Sequence, residues 1–200
     1  MNKLILLFHF FVFFNLFSQI NDPLFNDFLS NDKLNENLLP DKMLFTQKIL
    51  WGKKGLFRIT NLSNLNINSR KKELNVRRKM LNAHQVIGYL TLIGMIAQGY
   101  IGGKLYNGDR SLYGIHKKMG KTVTISYFTG AGLSLFAPPP LIRGNSKGFS
   151  SIKIHKYLAT IHFSAMLATN FLSDKNESMH KVAAYSAFTS FALAVIVFKF

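Results

Sequence analysis

The sequence contains no cysteine. This absence excludes disulfide bonds, thiolate catalysis, cysteine-ligated zinc and iron-sulfur clusters, so any metal site has to use histidine, methionine, aspartate or glutamate. Acidic residues are also few, and none falls inside the four long apolar stretches of the second half. No catalytic nucleophile, paired carboxylates or phosphate-binding loop is recognisable either. A stand-alone soluble enzyme is therefore the weakest interpretation.

The formal net charge is +16, from 25 lysines and arginines against nine acidic residues. A strongly basic chain can bind nucleic acid, but here the basic residues bracket apolar stretches and do not form one solvated face. Lipid headgroup phosphates attract lysine and arginine beside a membrane segment. The charge pattern therefore predicts an integral membrane protein with lipid as a partner, and no nucleic-acid partner.

Residues 1–18 predict a signal peptide, with a short basic start, an apolar run from Leu4 to Phe17 and a small residue at Ser18. The run is shorter than the roughly 20 residues of a comfortable membrane span, so an uncleaved anchor is the alternative. His9 lies inside this run and is assigned no function. Export of the following segment places the protein in a plasma membrane, the inner membrane if the source is bacterial.

Residues 19–69 are interpreted as an extramembrane segment, rich in asparagine, aspartate and leucine. Within it, the stretch from Asp41 to Thr60 mixes apolar and basic side chains. This mixture predicts a short helix lying in the headgroup layer and anchored by Trp51, with a loosely ordered linker as the alternative.

Residues 70–200 predict an all-α domain of four transmembrane helices. The spans are Leu81 to Gly103, Ile115 to Ala137, Ile152 to Leu172 and Met179 to Phe198. The second span stops at a run of three prolines, which cannot continue a helix. Short connections force neighbouring helices to run antiparallel, so we expect an integral membrane, up-down four-helix bundle.

Histidine placement is the most informative feature of these spans, because every histidine after the signal peptide lies within a span or at its start. Four of them share the pattern His-(Lys or Gln)-x-x-(Gly or Ala). Its members are His84 with Gly88, His116 with Lys117 and Gly120, His155 with Lys156 and Ala159, and His180 with Lys181 and Ala184. The residue four positions on lies on the same helix face, where a small side chain leaves room for a planar macrocycle. A lysine beside the ligand suits the carboxylates of haem, so the pattern predicts haem binding.

The predicted topology pairs the histidines in two layers. Spans one and three start on the same side, which places His84 level with His155, and His116 is level with His180 on the opposite side. At about 1.5 Å per residue the layers are roughly 20 to 30 Å apart. His162 lies two turns beyond His155 and is an alternative ligand.

The two halves of the domain also look like a repeat. Residues 83–89 are similar to residues 154–160, and Met95 and Met166 fall at equal distances from His84 and His155. A duplicated helix pair generates two matching sites.

Together these residues resemble the four-helix core of the cytochrome b561 family, over roughly residues 80 to 200. The resemblance implies that His84 and His155 ligate one b-type haem, that His116 and His180 ligate a second, and that electrons pass between them across the membrane. Family members typically have six helices, and this chain has only the core four. The electron donor and acceptor are therefore open, with a separate periplasmic redox protein or a quinone as candidates.

Two alternatives come from other classes. A cofactor-free membrane scaffold or assembly protein would use its histidines for hydrogen bonds between helices. A small transporter or channel would use a line of histidines as a proton or metal path. The absence of acidic residues from the spans disfavours the transporter, because such paths usually contain them.

Overall fold

The computed structural model describes residues 38–141 and 150–197, and within these ranges every regular element is helical. The helices are α1 (Phe45–Trp51), α2 (Leu56–Ile59), α3 (Ile67–Tyr106), α4 (Tyr113–Leu135), α5 (Ser151–Leu172) and α6 (Glu177–Val197), with a short 3-10 helix at Arg110–Leu112 before α4. The all-α prediction is confirmed. The predicted signal peptide lies outside the described residues.

Helix α3 is much longer than the first predicted span, because it starts at Ile67 and includes the whole basic run before Leu81. The Asn66 side chain accepts a hydrogen bond from the Ser69 backbone N–H at 2.8 Å and so caps this start. Lysine and arginine are good helix formers, so the helix continues through the basic run. The predicted span began where the apolar stretch begins, and this is not where the helix begins. The other three long helices agree with the predicted spans to within two residues at each end, apart from the end of α6, beyond which the chain is not described.

Two helices in the described part of the chain, α3 and α6, are long and apolar enough to cross a membrane by length and composition. Lysines lower the mean hydropathy of the other two: α4 carries Lys117, Lys118 and Lys121, and α5 carries Lys153 and Lys156. The membrane prediction is thus supported for two helices. That all four cross a membrane together stays a prediction.

The chain divides into two compact units, and the first comprises, among the described residues, 38–82 and 135–141. Its central feature is a run of five consecutive backbone carbonyls at the end of α4, each of which accepts a hydrogen bond from a side chain. The pairs are Leu135 with Thr46 (2.6 Å), Phe136 with Trp51 (3.0 Å), Ala137 with Gln47 (3.1 Å), Pro138 with Arg77 (2.7 Å) and Pro139 with Arg70 (3.0 Å). The last carbonyls of a helix have no partner inside it, and the prolines that follow cannot rebuild a helical pattern. Side chains from residues 46 to 77 therefore cap the segment of residues 135 to 139, of which only Leu135 belongs to α4.

An ion cluster holds Arg70, one of the donors of this cap, in place. Glu73 is paired with both Arg58 and Arg70 and also accepts a hydrogen bond from Ser63 at 2.5 Å. The side chains of Arg70 and Glu73 are only 0% and 3% exposed. Burial by itself raises the pKa of Glu73, but its hydrogen bonds to the two guanidinium groups and to Ser63 outweigh burial and hold the pKa below its usual value. Burial lowers the pKa of Arg70, and the Glu73 charge opposes that shift.

The second unit comprises, among the described residues, 83–134 and 150–197. Along α3, His84 contacts Gly130 and Gln98 contacts His116, so α4 runs in the opposite direction. Along α5, His155 contacts Ala194 and Thr169 contacts His180 of α6 in the same way. Both helix pairs are therefore antiparallel. The buried centre of this unit contains Met95, Val123, Tyr127, Met166 and Ala187. The two methionines that the repeat placed in step thus belong to one core.

Replacing Glu73 by glutamine should destabilise the first unit by about 3 kcal/mol, because the buried guanidinium groups of Arg58 and Arg70 lose the carboxylate that pairs with both of them. Hydrogen exchange of the α1 and α2 amides in the solubilised protein measures this loss as faster exchange. Asp41→Asn, an exposed change in the same unit, is the matched control.

The stabilisation by Glu73 should also depend on pH in one direction. It is fully present above the unfolded glutamate pKa of about 4.3 and is lost as the pH falls through the lower folded value. Equal exchange in the Glu73→Gln and Asp41→Asn variants at neutral pH would contradict the assigned role.

Candidate functional site

The structure brings together the two histidine pairs that topology predicts. The ring centres of His84 and His155 are 6.5 Å apart with their planes at 90°. Those of His116 and His180 are 6.3 Å apart with their planes at 82°. All four side chains are half-buried. The two pairs are thus nearly identical in separation and in relative orientation.

Three of these four imidazoles are fixed by a backbone carbonyl of a neighbouring helix. The Nδ1 atoms of His84, His155 and His180 lie 2.8, 3.2 and 2.8 Å from the carbonyl oxygens of Gly130, Ala194 and Thr169. A carbonyl oxygen only accepts hydrogen bonds, so Nδ1 carries the proton and the neutral ring keeps its lone pair on Nε2. This is the arrangement in which histidine binds a metal through Nε2, because the second-shell acceptor fixes both the tautomer and the ring orientation.

His116 is held differently, by a side chain. The amide nitrogen of Gln98 lies 3.1 Å from its Nδ1 and 3.3 Å from its Nε2, and donates to the His116 backbone carbonyl at 3.0 Å. Gly102, one turn further along α3, packs directly against the ring: a Cβ atom at this position would lie 2.8 Å from His116 Cε1. Neither Gln98 nor Gly102 was predicted to be part of the site.

The two pairs lie on two levels of the helix group. Contacts place His84 level with Gly130 and Gln98 level with His116, and each helix runs fourteen residues between the two levels, for example from 84 to 98 and from 116 to 130. At about 1.5 Å per residue the levels are about 21 Å apart. The core around Tyr127 fills the space between them.

The contacts follow the internal repeat. With His84 matched to His155 along α3 and α5, and His116 to His180 along α4 and α6, the acceptors Gly130 and Ala194 occupy matching positions. The acceptor of His180, Thr169, matches Gln98, the partner of His116. The repeat is therefore present in three dimensions, and it differs at Gln98, where a side-chain amide replaces a backbone acceptor.

His162 makes a contact of another kind. Its Nδ1 lies 2.6 Å from the Tyr127 hydroxyl, and its ring packs on Phe191 with centres 5.1 Å apart. Its match in the first half is Thr91, which bonds the Ser126 hydroxyl at 2.7 Å. Both positions thus join neighbouring helices by one buried hydrogen bond. These contacts favour a packing role for His162 over its alternative role as a ligand.

The small residues and lysines of the pattern have varied surroundings. A Cβ atom on Gly88 would meet nothing within 4 Å, whereas one on Gly120 would approach the Gln98 amide nitrogen to 3.0 Å. Gly120 therefore makes room for the partner of His116. Lys181 and Lys117 lie over the rings of Tyr106 and Tyr113, at 3.6 and 5.8 Å from the ring centres. The roles predicted for Ala159, Ala184 and Lys156 beside a cofactor stay predictions.

Residues 38–141 and 150–197 contain no group of three or more histidine, cysteine, aspartate or glutamate side chains able to hold a metal ion by themselves. Any site built from these histidines therefore depends on a metal that brings its other ligands with it. Comparisons with protein families, curated proteins and solved structures find no match to this chain.

Replacing Gly102 by alanine should displace the His116 ring, because the new methyl group overlaps its Cε1 atom. Gly103→Ala is the matched control, since a Cβ atom there meets nothing within 4 Å. Imidazole resonances of protein labelled with nitrogen-15 histidine should shift for His116 in the first variant and stay unchanged in the second. An unshifted His116 signal in Gly102→Ala would contradict the close contact.

Proposed function

We propose that this chain transfers electrons across a membrane, with His84 and His155 binding one b-type haem and His116 and His180 binding a second. The separation of the paired rings is the observation that carries the proposal. A metal–imidazole bond is about 2.0–2.1 Å long and each nitrogen lies about 1.2 Å from its ring centre, so two imidazoles on opposite sides of one metal have ring centres about 6.4 Å apart. The observed separations of 6.5 and 6.3 Å agree with that value.

The hydrogen bonds of the histidines support the same conclusion. Three of the four rings donate from Nδ1 to a carbonyl, and in that tautomer Nε2 is the ring atom that would bind a metal. Histidines that only join helices would need no second histidine at a repeated distance. The scaffold alternative therefore explains the carbonyl contacts and leaves the paired rings unexplained.

When bound by two imidazoles, a b-type haem supplies a one-electron carrier with no open coordination position for a substrate. The chain itself then has positioning tasks and no catalytic residue. The four histidines fix the two levels, and the aromatic side chains Tyr127, Phe128, Phe163 and Phe191 pack edge to face or tilted between them and exclude water. We propose that the chain is an electron carrier or the membrane subunit of an oxidoreductase, with a quinone or a periplasmic redox protein as partner.

The membrane location is proposed for all four long helices as an up-down bundle. Large apolar side chains are exposed on each of them, including Ile93 on α3, Ile125 on α4, Ile161 on α5 and Ile196 on α6. Extensive exposed apolar surface of this kind is unfavourable in water and is expected in lipid. The lysines of α4 and α5 lie near helix starts, where their ammonium groups reach the headgroup layer. The predicted signal peptide suggests an exported N-terminal segment and a plasma, or bacterial inner, membrane.

The purified protein should show the visible spectrum of b-type haem, oxidised and dithionite-reduced, with two haems per chain by pyridine haemochrome assay. Each of the variants His84→Ala, His155→Ala, His116→Ala and His180→Ala should lose one haem, because a single remaining imidazole holds haem weakly. His162→Gln is the control and should keep both, since glutamine can still bond the Tyr127 hydroxyl.

A protein that stays colourless after haem is supplied would overturn the electron-transfer proposal and leave the scaffold. Loss of a haem in His162→Gln with retention in His155→Ala would instead identify His162 as the ligand.

A further inference from the structure

Helices α1 and α2 have an inverted polarity, with polar side chains directed into the first unit and apolar side chains exposed. On α1, Gln47 and Trp51 are one turn apart and donate hydrogen bonds to the carbonyls at the end of α4. Phe45 and Ile49, also one turn apart, lie on the opposite face of this helix. Phe45 is 78% exposed and Ile49 is 49% exposed.

Helix α2 and the turn after it repeat this arrangement. Phe57 stacks on Trp51 with ring centres 4.5 Å apart, and Arg58 pairs with Glu73. Leu56 and Ile59, three residues apart and so on one helix face, are exposed. Leu62, in the turn that follows, is 73% exposed. We call Phe45, Ile49, Leu56, Ile59 and Leu62 the outer face.

The segment that carries the outer face is strongly basic. Between residues 42 and 72 there are basic residues and no acidic residue, and the two arginines of this stretch are paired with Glu73. The lysines remain, and most of them are exposed: Lys42, Lys48, Lys53, Lys54 and Lys72. Lys48 lies next to Ile49 on α1, and Lys53 and Lys54 lie in the turn between α1 and α2. Exposed apolar side chains thus alternate with cations.

We propose that the outer face binds the surface of an anionic phospholipid bilayer, with its apolar side chains at the boundary of headgroups and acyl chains and its lysines on the phosphates. Amphipathic segments of this composition bind such surfaces through the burial of apolar side chains and through attraction between lysines and anionic headgroups. A second copy of the chain is a poorer occupant, because two surfaces of the same positive sign repel each other. The inference rests only on the membrane location in the proposed function and is independent of haem.

The proposal changes the sequence interpretation of Trp51. This residue was predicted as the interfacial anchor, but its indole N–H bonds the Phe136 carbonyl and its ring packs on Phe57. Trp51 therefore holds α1 and α2 in place, and the outer face meets the lipid.

The absence of cysteine makes a direct test simple. Ile59→Cys and Leu62→Cys variants of the full chain, carrying a nitroxide label, are reconstituted in bilayer nanodiscs with a quarter of phosphatidylglycerol in phosphatidylcholine. Collisions with oxygen and with a water-soluble nickel chelate report the surroundings of each label. Asn107→Cys, in an exposed turn between α3 and α4, is the control. We expect several-fold less nickel-chelate collision and more oxygen collision at the outer-face labels than at the control.

Charge is tested by the combined change Lys48→Gln, Lys53→Gln and Lys54→Gln, together with discs of phosphatidylcholine alone. Each lysine near an anionic surface contributes about a fivefold preference, so either change should restore nickel-chelate access at residues 59 and 62. Nickel-chelate access at residues 59 and 62 equal to that at residue 107 in all discs overturns the proposal. Shielding of these labels from the chelate that is accompanied by dipolar broadening between labels also overturns it, because it identifies a second copy of the chain as the occupant. Elution of the chain apart from the discs would contradict the membrane location itself, and the haem spectrum of the same sample reports separately on electron transfer.

Discussion

The structure depends on one kind of interaction, the hydrogen bond from a side-chain N–H or O–H group to a backbone carbonyl of another segment. In the first unit it caps five consecutive carbonyls at the end of α4. In the second unit it fixes the rings of His84, His155 and His180. Where lipid surrounds the protein, no water competes for these groups, so an unmade bond costs several kcal/mol. The same constraint that stabilises the helices therefore orients the histidines.

This constraint explains which features could be predicted. Hydrophobic stretches and short connections were enough to predict four long antiparallel helices and to pair His84 with His155. The acceptors Gly130, Thr169 and Ala194 could not be predicted, because every residue has a carbonyl and the choice depends on helix register. A short helix between Asp41 and Thr60 was predicted, and α1 and α2 lie there. The polar contacts that order the first unit could not be predicted, because they join residues such as Gln47 and Ala137 that are distant in sequence and leave no hydrophobic period. Gly102 was visible only as one of several small residues, and its neighbour His116 is on another helix.

The two halves of the internal repeat can be compared position by position. Features present in both halves belong to the shared geometry, and features present in one half point to a role specific to that half. Matching positions that carry the same residue, such as Met95 with Met166 and His84 with His155, maintain the geometry that the two halves share. Positions that differ carry information about roles: the match of His162 is a threonine, and both bond a hydroxyl of α4. A ligand would be expected to have a histidine as its match. Similarly, His116 contacts the side chain of Gln98 whereas His180 contacts a backbone carbonyl, so the two rings of this pair are held differently. Both rings of the His84 and His155 pair contact a backbone carbonyl.

The distribution of polarity indicates the solvent for which this fold is built. In a water-soluble protein, polar groups gain by facing out, whereas here arginine, glutamate and glutamine side chains are buried in the first unit and isoleucine, leucine and phenylalanine side chains face outward. Pairing with carbonyls and with one another lowers the cost of burying most of these groups, although Arg58 Nε is buried without a hydrogen bond in the described part of the chain. Outside, the inversion would be favourable against lipid, where the hydrophobic effect does not oppose exposure, and it therefore supports the membrane location that we propose. The proposed membrane location thus accounts both for the inverted first unit and for the exposed apolar side chains of α3 to α6.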